Sequence, residues 1–178
     1  MENHIKKLDE KLHLVDKQFR EVIKCIPPQS SKDPHPFWIH CELIERYLVL
    51  KKINIQKGMK SLDIGCGAHA LTSIVLAYFV GSEGTVVAVD RERWHSFEKM
   101  VSYTKYNNRI IPLKLDARQL PIPYRTFDIA IIIHGIRSMG EDHEIKKVLE
   151  ELLRVSSQVI IAESLPIANS PAQQAHLD

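Results

Sequence analysis

Residues 61–67, Ser61-Leu62-Asp63-Ile64-Gly65-Cys66-Gly67, decide the fold of this 178-residue chain. An apolar run ends in a carboxylate, and two glycines then lead into a segment that is apolar on almost every face. This order predicts a strand, a tight loop and a buried helix, because glycine lets backbone approach a small ligand closely. The start of such a helix also offers free N–H groups to an anion. From these residues alone, a nucleotide-type site and an ordinary turn of an α/β protein are both open.

Strands and helices alternate along the rest of the chain. Predicted strands cover residues 60–64, 85–89, 110–115, 127–133 and 158–162, and predicted helices cover 68–80, 94–101 and 145–152. Continuous apolar strands separated by helices are typical of a parallel sheet that is buried on both faces. The predicted fold is therefore α/β, a doubly wound three-layer sandwich with a mainly parallel sheet in the order 3-2-1-4-5. Pro112 requires the third strand to lie at a sheet edge or at a bulge.

Two further helices are predicted before the sheet. Apolar residues recur at steps of three and four through residues 2–26, which predicts one amphipathic helix that ends at Pro27-Pro28. Its apolar stripe suits either a short coiled coil or packing on the chain's own domain, and we favour packing. A second helix is predicted from Phe37. We divide the chain into N-terminal helices (1–56) that cap the same domain, a Rossmann-like domain (57–164) and a tail (165–178).

Composition narrows the class of protein. The net charge of +2 points neither toward nor away from nucleic acid, and no segment is long and apolar enough to span a membrane. The start of the chain is charged from Lys6 onward, unlike a signal peptide. Three cysteines lie far apart, without the spacing of a zinc site. We expect a cytoplasmic protein with reduced thiols, no metal and no membrane partner.

Three carboxylates stand at the ends of the first three predicted strands. Because the carboxyl ends of parallel strands meet at one edge of a sheet, Asp63, Asp90 and Asp116 would line one crevice. The glycine pattern of residues 65–70 fits a dinucleotide site, but Asp63 would repel a pyrophosphate and suits a sulfonium or ammonium group. Asp90 can hydrogen-bond a ribose in either kind of cofactor. The alternative is that these acids are helix caps or solvated turn residues.

Four segments, in this order and at this spacing, resemble the class I S-adenosylmethionine-dependent methyltransferases. They are Leu62–Gly67, like the family's first motif; Val87–Asp90, like its ribose-binding motif; Asp116–Pro121 with Phe127-Asp128, like the adenine-side block of the small-molecule branch; and His134–Ser138. The last is similar to the segment after strand four in quinone-pathway C-methyltransferases. The resemblance covers about residues 57–164 and is specific for cofactor and fold, but not for substrate.

The resemblance implies a site for S-adenosylmethionine as the methyl donor. The cofactor-binding residues would be Asp63, Gly65, Cys66, Gly67, Asp90, Arg91, Asp116, Ala117 and His134. Gly65 and Gly67 would border the methionine part, with Asp63 beneath it. Asp90 would take the ribose hydroxyls, and Asp116 with its neighbour would hold the adenine.

The chain departs from the family pattern at two points. The family usually has a third glycine where His69 stands, so this ring either narrows the methionine pocket or pairs with the methionine carboxylate. If the position needs a positive φ, histidine is a costly choice there. The family's sheet usually continues beyond strand five, whereas this sequence ends soon after it. We therefore expect the apolar edge at Val159–Ile161 to pair with another chain, as in a homo-oligomer, or with further C-terminal sequence.

His134 is the residue that we expect to act as a general base. Methyl transfer from a sulfonium depends mainly on positioning, and a base is needed only when the nucleophile must lose a proton. His134 ends a buried strand at the crevice, and imidazole is the side chain best suited to proton transfer near neutral pH. The alternative is a histidine that only packs against the cofactor. Glu163 is a second candidate base and Arg137 a candidate contact for an acidic substrate, although ordinary surface roles are open for both.

The segment after strand four also argues against several kinds of methyl transfer. It lacks Asn/Asp-Pro-Pro-Tyr and a cysteine, and it carries His134 where a metal-dependent O-methyltransferase would need an acid. We therefore expect a methyltransferase that acts on a small molecule and has no nucleic acid partner. One alternative is a catalytically inactive regulatory or scaffold subunit that binds the cofactor. Another is a nicotinamide-dependent oxidoreductase, which Asp63 disfavours.

Overall fold

A five-stranded parallel sheet forms the centre of the computed structural model, which describes residues 2–29, 37–92 and 95–163. The strands are β1 (Lys60–Ile64), β2 (Thr85–Asp90), β3 (Ile110–Lys114), β4 (Ile129–Ile133) and β5 (Val159–Ala162). Their order is β3-β2-β1-β4-β5, and all four neighbouring pairs run parallel. This confirms the predicted doubly wound fold and its strand order.

Helices cover both faces of the sheet. They are α1 (Glu2–Leu12), α2 (Lys17–Cys25), α3 (Trp38–Leu50), α4 (Leu71–Val80), α5 (His95–Ser102) and α6 (Asp142–Val155), with a short 3₁₀ helix at Ile136–Met139. One core joins α2, α3, α4 and α5 to one sheet face, and a second core lies between α6 and the other face. Successive β4 residues alternate between these cores: Ile131 belongs to the first and Ile132 to the second. The strand is apolar throughout because both faces are buried.

The N-terminal segment forms two helices, so the prediction of a single helix over residues 2–26 is wrong. α1 ends at Leu12, and α2 begins directly after Asp16. The Asp16 carboxylate caps α2, because its Oδ1 accepts a hydrogen bond from the Phe19 backbone N–H at 2.9 Å. The spacing of apolar residues runs across this turn without interruption, so periodicity alone concealed the break.

Asp16 also ties α2 to two other helices. Its Oδ2 accepts hydrogen bonds from the hydroxyls of Tyr47 on α3 and Tyr78 on α4, each at 2.7 Å. The ring of Phe19 stacks on Tyr47, with centroids 4.8 Å apart, and Phe19 is fully buried. The apolar stripe of α2 therefore packs on the chain's own sheet layer rather than presenting a coiled-coil seam.

The loop after β1 is longer than predicted. The sequence pattern placed the start of the helix at residue 68, but α4 begins at Leu71. Gly65, Gly67 and Ala70 all have positive φ, with values of 68°, 64° and 53°, and this backbone cannot be part of a right-handed helix. The helix ends at Gly81, whose φ of 70° is a conformation that glycine adopts readily.

Both sheet edges lie where the sequence placed them. Pro112 sits in β3, which pairs only with β2 among the described strands, so the missing N–H disturbs no ladder. β5 forms the opposite edge, where the side chain of Ile161 is exposed. Trp94, His35 and the predicted tail (165–178) lie outside the described residues. Within the described part of the chain, no helix is both long enough and apolar enough to cross a membrane.

Candidate active site

A cavity of about 270 Å³ lies at the carboxyl ends of the strands, where the loops after β1, β2, β3 and β4 meet. Seven of the nine residues predicted to bind the cofactor line it: Gly65, Gly67, Asp90, Arg91, Asp116, Ala117 and His134. Asp63 and Cys66 are not among the lining residues. Arg118, Ser138 and Met139 also line the cavity; the first two lie within the motif segments but were not assigned a role, and no motif indicated Met139.

The glycine loop brings bare backbone to the cavity. The Gly65 N–H donates to the Val89 carbonyl at 2.8 Å, which fixes the loop on β2. A Cβ added at Gly65 would lie 3.3 Å from Cε of Met139, on the opposite wall, so a side chain there would intrude on the cavity. The positive φ of Gly65 and Gly67 is the conformational reason for glycine at both positions.

Asp90 is held in place by two backbone donors. Its Oδ2 accepts from the Gly67 N–H at 3.0 Å, and its Oδ1 accepts from the Glu92 N–H at 3.1 Å. A carboxylate has about four acceptor positions, so each oxygen retains one that can accept from a ligand hydroxyl. Asp90 therefore connects the glycine loop to the end of β2 and still presents acceptors at the cavity.

Asp63 lies buried under this loop. Its side chain is 1% exposed, and its Oδ2 accepts a hydrogen bond from the Ser73 hydroxyl on α4. Burial raises the pKa of Asp63 to about 7; the Ser73 hydrogen bond and the charge of Arg46 oppose this rise, and the charge of Asp90 adds to it. Asp63 is not among the residues that line the cavity, so it cannot repel a pyrophosphate at contact distance.

Cys66 serves as a small packing residue in the same loop. Burial, followed by the negative charges of Asp63 and Asp90, raises the pKa of its thiol far above the ordinary range. A thiol held protonated is a poor nucleophile. The Cys66 side chain packs instead against the first core.

Asp116 is paired within its own turn. Its Oδ1 accepts from the backbone N–H and Nε of Arg118, both at 2.9 Å, and its Oδ2 accepts from Nη2 of the same guanidinium at 2.5 Å. Nη1 of Arg118 also contacts Glu144 on α6. These Arg118 hydrogen bonds lower the pKa of Asp116 to about 2. The predicted adenine-side carboxylate is thus ionised and rigidly oriented.

His134 stands at the end of β4 in a left-handed backbone conformation, with φ of 56°. Its N–H donates to the Ala162 carbonyl on β5 at 2.9 Å. Its Nε2 lies 2.8 Å from Oε1 of Glu45, a residue of α3 that is 89 positions earlier in the sequence. The imidazole is 24% exposed and lines the cavity. No motif in the sequence indicated Glu45, because nothing local relates it to β4.

Glu163 holds the segment that follows His134. Its Oε1 accepts from the Ile136 N–H at 2.7 Å, at the start of the short 3₁₀ helix. Glu163 is not among the residues that line the cavity, and in this structure it caps the short 3₁₀ helix. The 3₁₀ helix itself carries Ser138 and Met139 into the wall and was not predicted.

His69 lies outside the cavity. Its ring packs edge-on against Trp38 of α3, with centroids 5.1 Å apart, and burial lowers the pKa of its imidazole. The positive φ in this part of the loop falls on Ala70 and not on His69. Histidine is therefore accommodated without backbone strain, and its neutral form is favoured.

The amino-acid sequence is similar to that of known methyltransferases. Residues 35–176 match the model of the ubiE/COQ5 methyltransferase family. A demethylmenaquinone methyltransferase from Staphylococcus epidermidis (strain RP62A) is 28% identical over 164 residues, which are 92% of this chain and 63% of the relative. One from Geobacillus stearothermophilus is 33% identical over 109 residues, which are 61% of this chain and 45% of that protein. The chain thus spans less than two thirds of the length of these relatives.

Solved structures agree with the fold. A cyclopropane-fatty-acyl-phospholipid synthase-like protein from Lactobacillus casei has a TM-score of 0.73 at 18% identity, over 92% of this chain and 63% of that one. At that identity the likeness shows the fold alone. A SAM-dependent methyltransferase from Aquifex aeolicus has a TM-score of 0.57 at 26% identity, over 78% of this chain and 73% of that one.

The strand order, the glycine loop and the carboxylate at the end of β2 fit a class I S-adenosylmethionine-dependent methyltransferase, and the family model and the Aquifex aeolicus structure support that class, as the resemblance implied. Because the family model spans most of its length, the chain belongs to the ubiE/COQ5 methyltransferase family.

Proposed function

We propose that this chain transfers a methyl group from S-adenosylmethionine to a small molecule. The observation that carries the proposal is one cavity, at the carboxyl ends of the strands, that is lined by the glycine loop, Asp90 and His134. This edge is where open α/β sheets bind their ligands. Family membership supports the same activity and the same methyl donor.

The cavity residues suit this cofactor. S-adenosylmethionine supplies a methyl group on a sulfonium, which needs no further activation. Gly65 and Gly67 leave room for its amino-acid part, since a Cβ at Gly65 would meet the opposite wall. The Asp90 carboxylate, already oriented by two backbone donors, would accept from the ribose hydroxyls. Asp116 and Ala117 would border the adenine, and Arg91 lies beside the ribose position.

For the acceptor, we propose an aromatic ring of the quinone class in its reduced, hydroxyl-bearing form. The matched relatives are named demethylmenaquinone methyltransferases, which supports this choice. His134 lies at the β4 side of the cavity, where it would take the hydroxyl proton as a general base. Loss of that proton makes the neighbouring ring carbon electron-rich, so this carbon can attack the methyl group.

The test combines binding and turnover. Calorimetry should show that S-adenosylmethionine and its demethylated product bind, and that NAD does not. Turnover with a reduced demethylated quinone should fall about 100-fold or more in His134→Asn, since a general base contributes a factor of this size, with cofactor affinity retained. If NAD bound more tightly than S-adenosylmethionine, the proposed cofactor would be wrong. Binding of S-adenosylmethionine with no transfer to any quinol would overturn the acceptor.

The described residues do not support the alternative of a catalytically inactive subunit. It rested in part on His69, which lies outside the cavity and carries no backbone strain. The oxidoreductase alternative is opposed by family membership and no longer by Asp63, which is buried.

We also propose that β5 pairs with a further strand in the native assembly. Ile161 is 42% exposed at an apolar sheet edge, and proteins normally cover such edges. Light scattering on the 178-residue chain, with hydrogen exchange on residues 158–162, tests this. A monomer whose β5 amides exchange as slowly as those of β1 would contradict it.

We propose a cytoplasmic location for the protein. The three free cysteines fit a reducing compartment, and cell fractionation tests the location.

A further inference from the structure

Glu45 and His134 come together from two distant parts of the chain. Nε2 of His134 lies 2.8 Å from Oε1 of Glu45, within hydrogen-bond distance, and the imidazole lines the cavity. Glu45 is carried by α3, whose side chains Leu43 and Ile44 are fully buried in the first core. A helix anchored in this way fixes the backbone of Glu45 relative to β4, and the contact with His134 holds its half-exposed carboxylate.

The main chain of His134 is fixed separately from its ring. Its N–H is bonded to Ala162, and its φ of 56° is unusual for a residue with a Cβ. Such a conformation persists only where the surroundings hold it, and residues of this kind cluster at functional sites. The rotation of the ring is a separate degree of freedom, and Glu45 is a partner that restricts it.

The pair also decides which nitrogen of the ring is basic. An ionised carboxylate only accepts hydrogen bonds, so Nε2 must carry a proton when it pairs with Glu45. In the neutral imidazole the lone pair then resides on Nδ1. Nδ1 is therefore the atom that can receive a proton, and Glu45 stabilises the positive charge that this creates.

We propose that Glu45 is a positioning residue for methyl transfer, which acts by holding His134 in the orientation and tautomer of a general base. The inference rests on the proposed function. The acceptor hydroxyl gives its proton to Nδ1, and an electron pair of the ring forms a bond from the neighbouring carbon to the methyl carbon. The sulfur keeps the electron pair of the S–CH₃ bond and becomes a thioether. The ring carbon then loses its own proton to water, and the imidazolium returns its proton to the ring oxygen, which regains its hydroxyl, so that one proton is released overall.

The first test compares three variants. Glu45→Ala should lower kcat by about ten- to hundred-fold, with cofactor affinity by calorimetry unchanged, because an interaction made in the transition state is lost. Glu45→Gln keeps the reach of the side chain but can donate as well as accept and carries no charge, so it should hold the ring without fixing its tautomer and recover only part of kcat. Glu21→Ala removes an exposed, paired glutamate on α2 and is the matched control. A kcat for Glu45→Ala within two-fold of the parent chain would overturn the proposal.

A double-mutant cycle asks whether Glu45 acts through His134. In a His134→Asn background, Glu45→Ala should cause no further loss of turnover, since the group it orients is gone. Equal losses in both backgrounds would show that Glu45 acts by another route, and the proposal would be wrong. Cofactor affinity and thermal melting of each variant exclude a folding defect.

A measurement that needs no turnover separates this inference from the proposed function. The ring N–H proton of His134, assigned by its loss in His134→Asn, should give a protected, downfield NMR signal in the parent chain and in Glu21→Ala. The signal should disappear in Glu45→Ala. Its persistence there would overturn the positioning role. If the signal disappears in Glu45→Ala but the parent chain methylates no acceptor, the proposed function is wrong, whereas the finding that Glu45 holds the His134 ring stands.

Discussion

The two sides of the cavity are built in different ways. On the β1–β2–β3 side, carboxylates hold the backbone or side chain of nearby loops: Asp90 accepts from Glu92, and Asp116 accepts from Arg118, each two positions away. On the β4 side, the main contact joins His134 to a residue 89 positions earlier, and Glu163 caps a helix that begins 27 positions before it. The contacts described on the first side span at most 26 positions, between Arg118 and Glu144, and we call it the local side; the His134–Glu45 contact on the β4 side spans 89 positions.

This difference separates binding from chemistry. The local side carries the residues expected to hold the methyl donor, so substitutions there should change affinity. The β4 side carries the candidate base and its partner, so substitutions there should change turnover with little effect on affinity. Four further experiments sharpen or break this division.

The largest effect is expected at Asp63, in the strand that both sides share. Its folded pKa of about 7 lies above the unfolded value near 4, so it contributes stability at low pH that is lost as pH rises through 7. Between pH 5 and pH 8 this amounts to about 3 kcal/mol of unfolding free energy. Asp63→Asn should remove this dependence in urea titrations. If the unfolding free energies of the parent chain and of Asp63→Asn changed with pH in the same way, the raised pKa of the buried Asp63 would be contradicted.

A side chain at Gly65 should abolish most cofactor binding. In Gly65→Val the new side chain starts 3.3 Å from Met139, in a backbone conformation that β-branched residues rarely adopt. We expect a loss of about 100-fold in calorimetric affinity, equivalent to about 2.7 kcal/mol. Gly58→Val is the matched control, since its φ is 87° and its surroundings are open. If Gly65→Val and Gly58→Val lost the same affinity, backbone strain would explain the loss, and intrusion of the side chain into the cavity would not.

Asp90→Ala should weaken S-adenosylmethionine about ten- to hundred-fold, since a hydrogen bond to a charged acceptor is worth about 1.5–3 kcal/mol. Asp128→Ala offers a control at the other end of the sheet, where that carboxylate accepts from the Lys60 N–H at 2.8 Å. The control should lose stability and retain affinity. If kcat fell in Asp90→Ala while affinity stayed constant, the division between the two sides would fail.

The smallest effect is expected at His69. Its ring packs on Trp38 away from the cavity, and burial favours its neutral form. His69→Gly should therefore change the affinity for S-adenosylmethionine by less than about two-fold, an effect as small as that of most surface substitutions. The affinity profile between pH 6 and pH 8 should also be unchanged. A profile that falls with rising pH only in the parent chain would show that an imidazolium binds the methionine carboxylate after all.

What the sequence revealed follows the same division. Gly65, Gly67 and Asp90 could be found from motifs because their partners are in the same or the adjacent strand. Glu45 could not, because only the docking of α3 brings it to β4. The break between α1 and α2 was missed for the same reason: a cap is visible at Asp16, but its tyrosine partners lie 31 and 62 positions away. The 3₁₀ helix after His134 depends on Glu163, which lies beyond the next strand.

The shared carboxylate of Asp16 has a consequence for how the molecule unfolds. One oxygen caps α2 and the other accepts from α3 and α4, beside the ring of Phe19, which is buried between Tyr47 and Tyr78, so detachment of any of these helices breaks contacts of the other two. They should open as one cooperative unit in native-state hydrogen exchange. Since α4 emerges from the glycine loop, a ligand that orders this loop would slow amide exchange in α2, far from any atom that it touches.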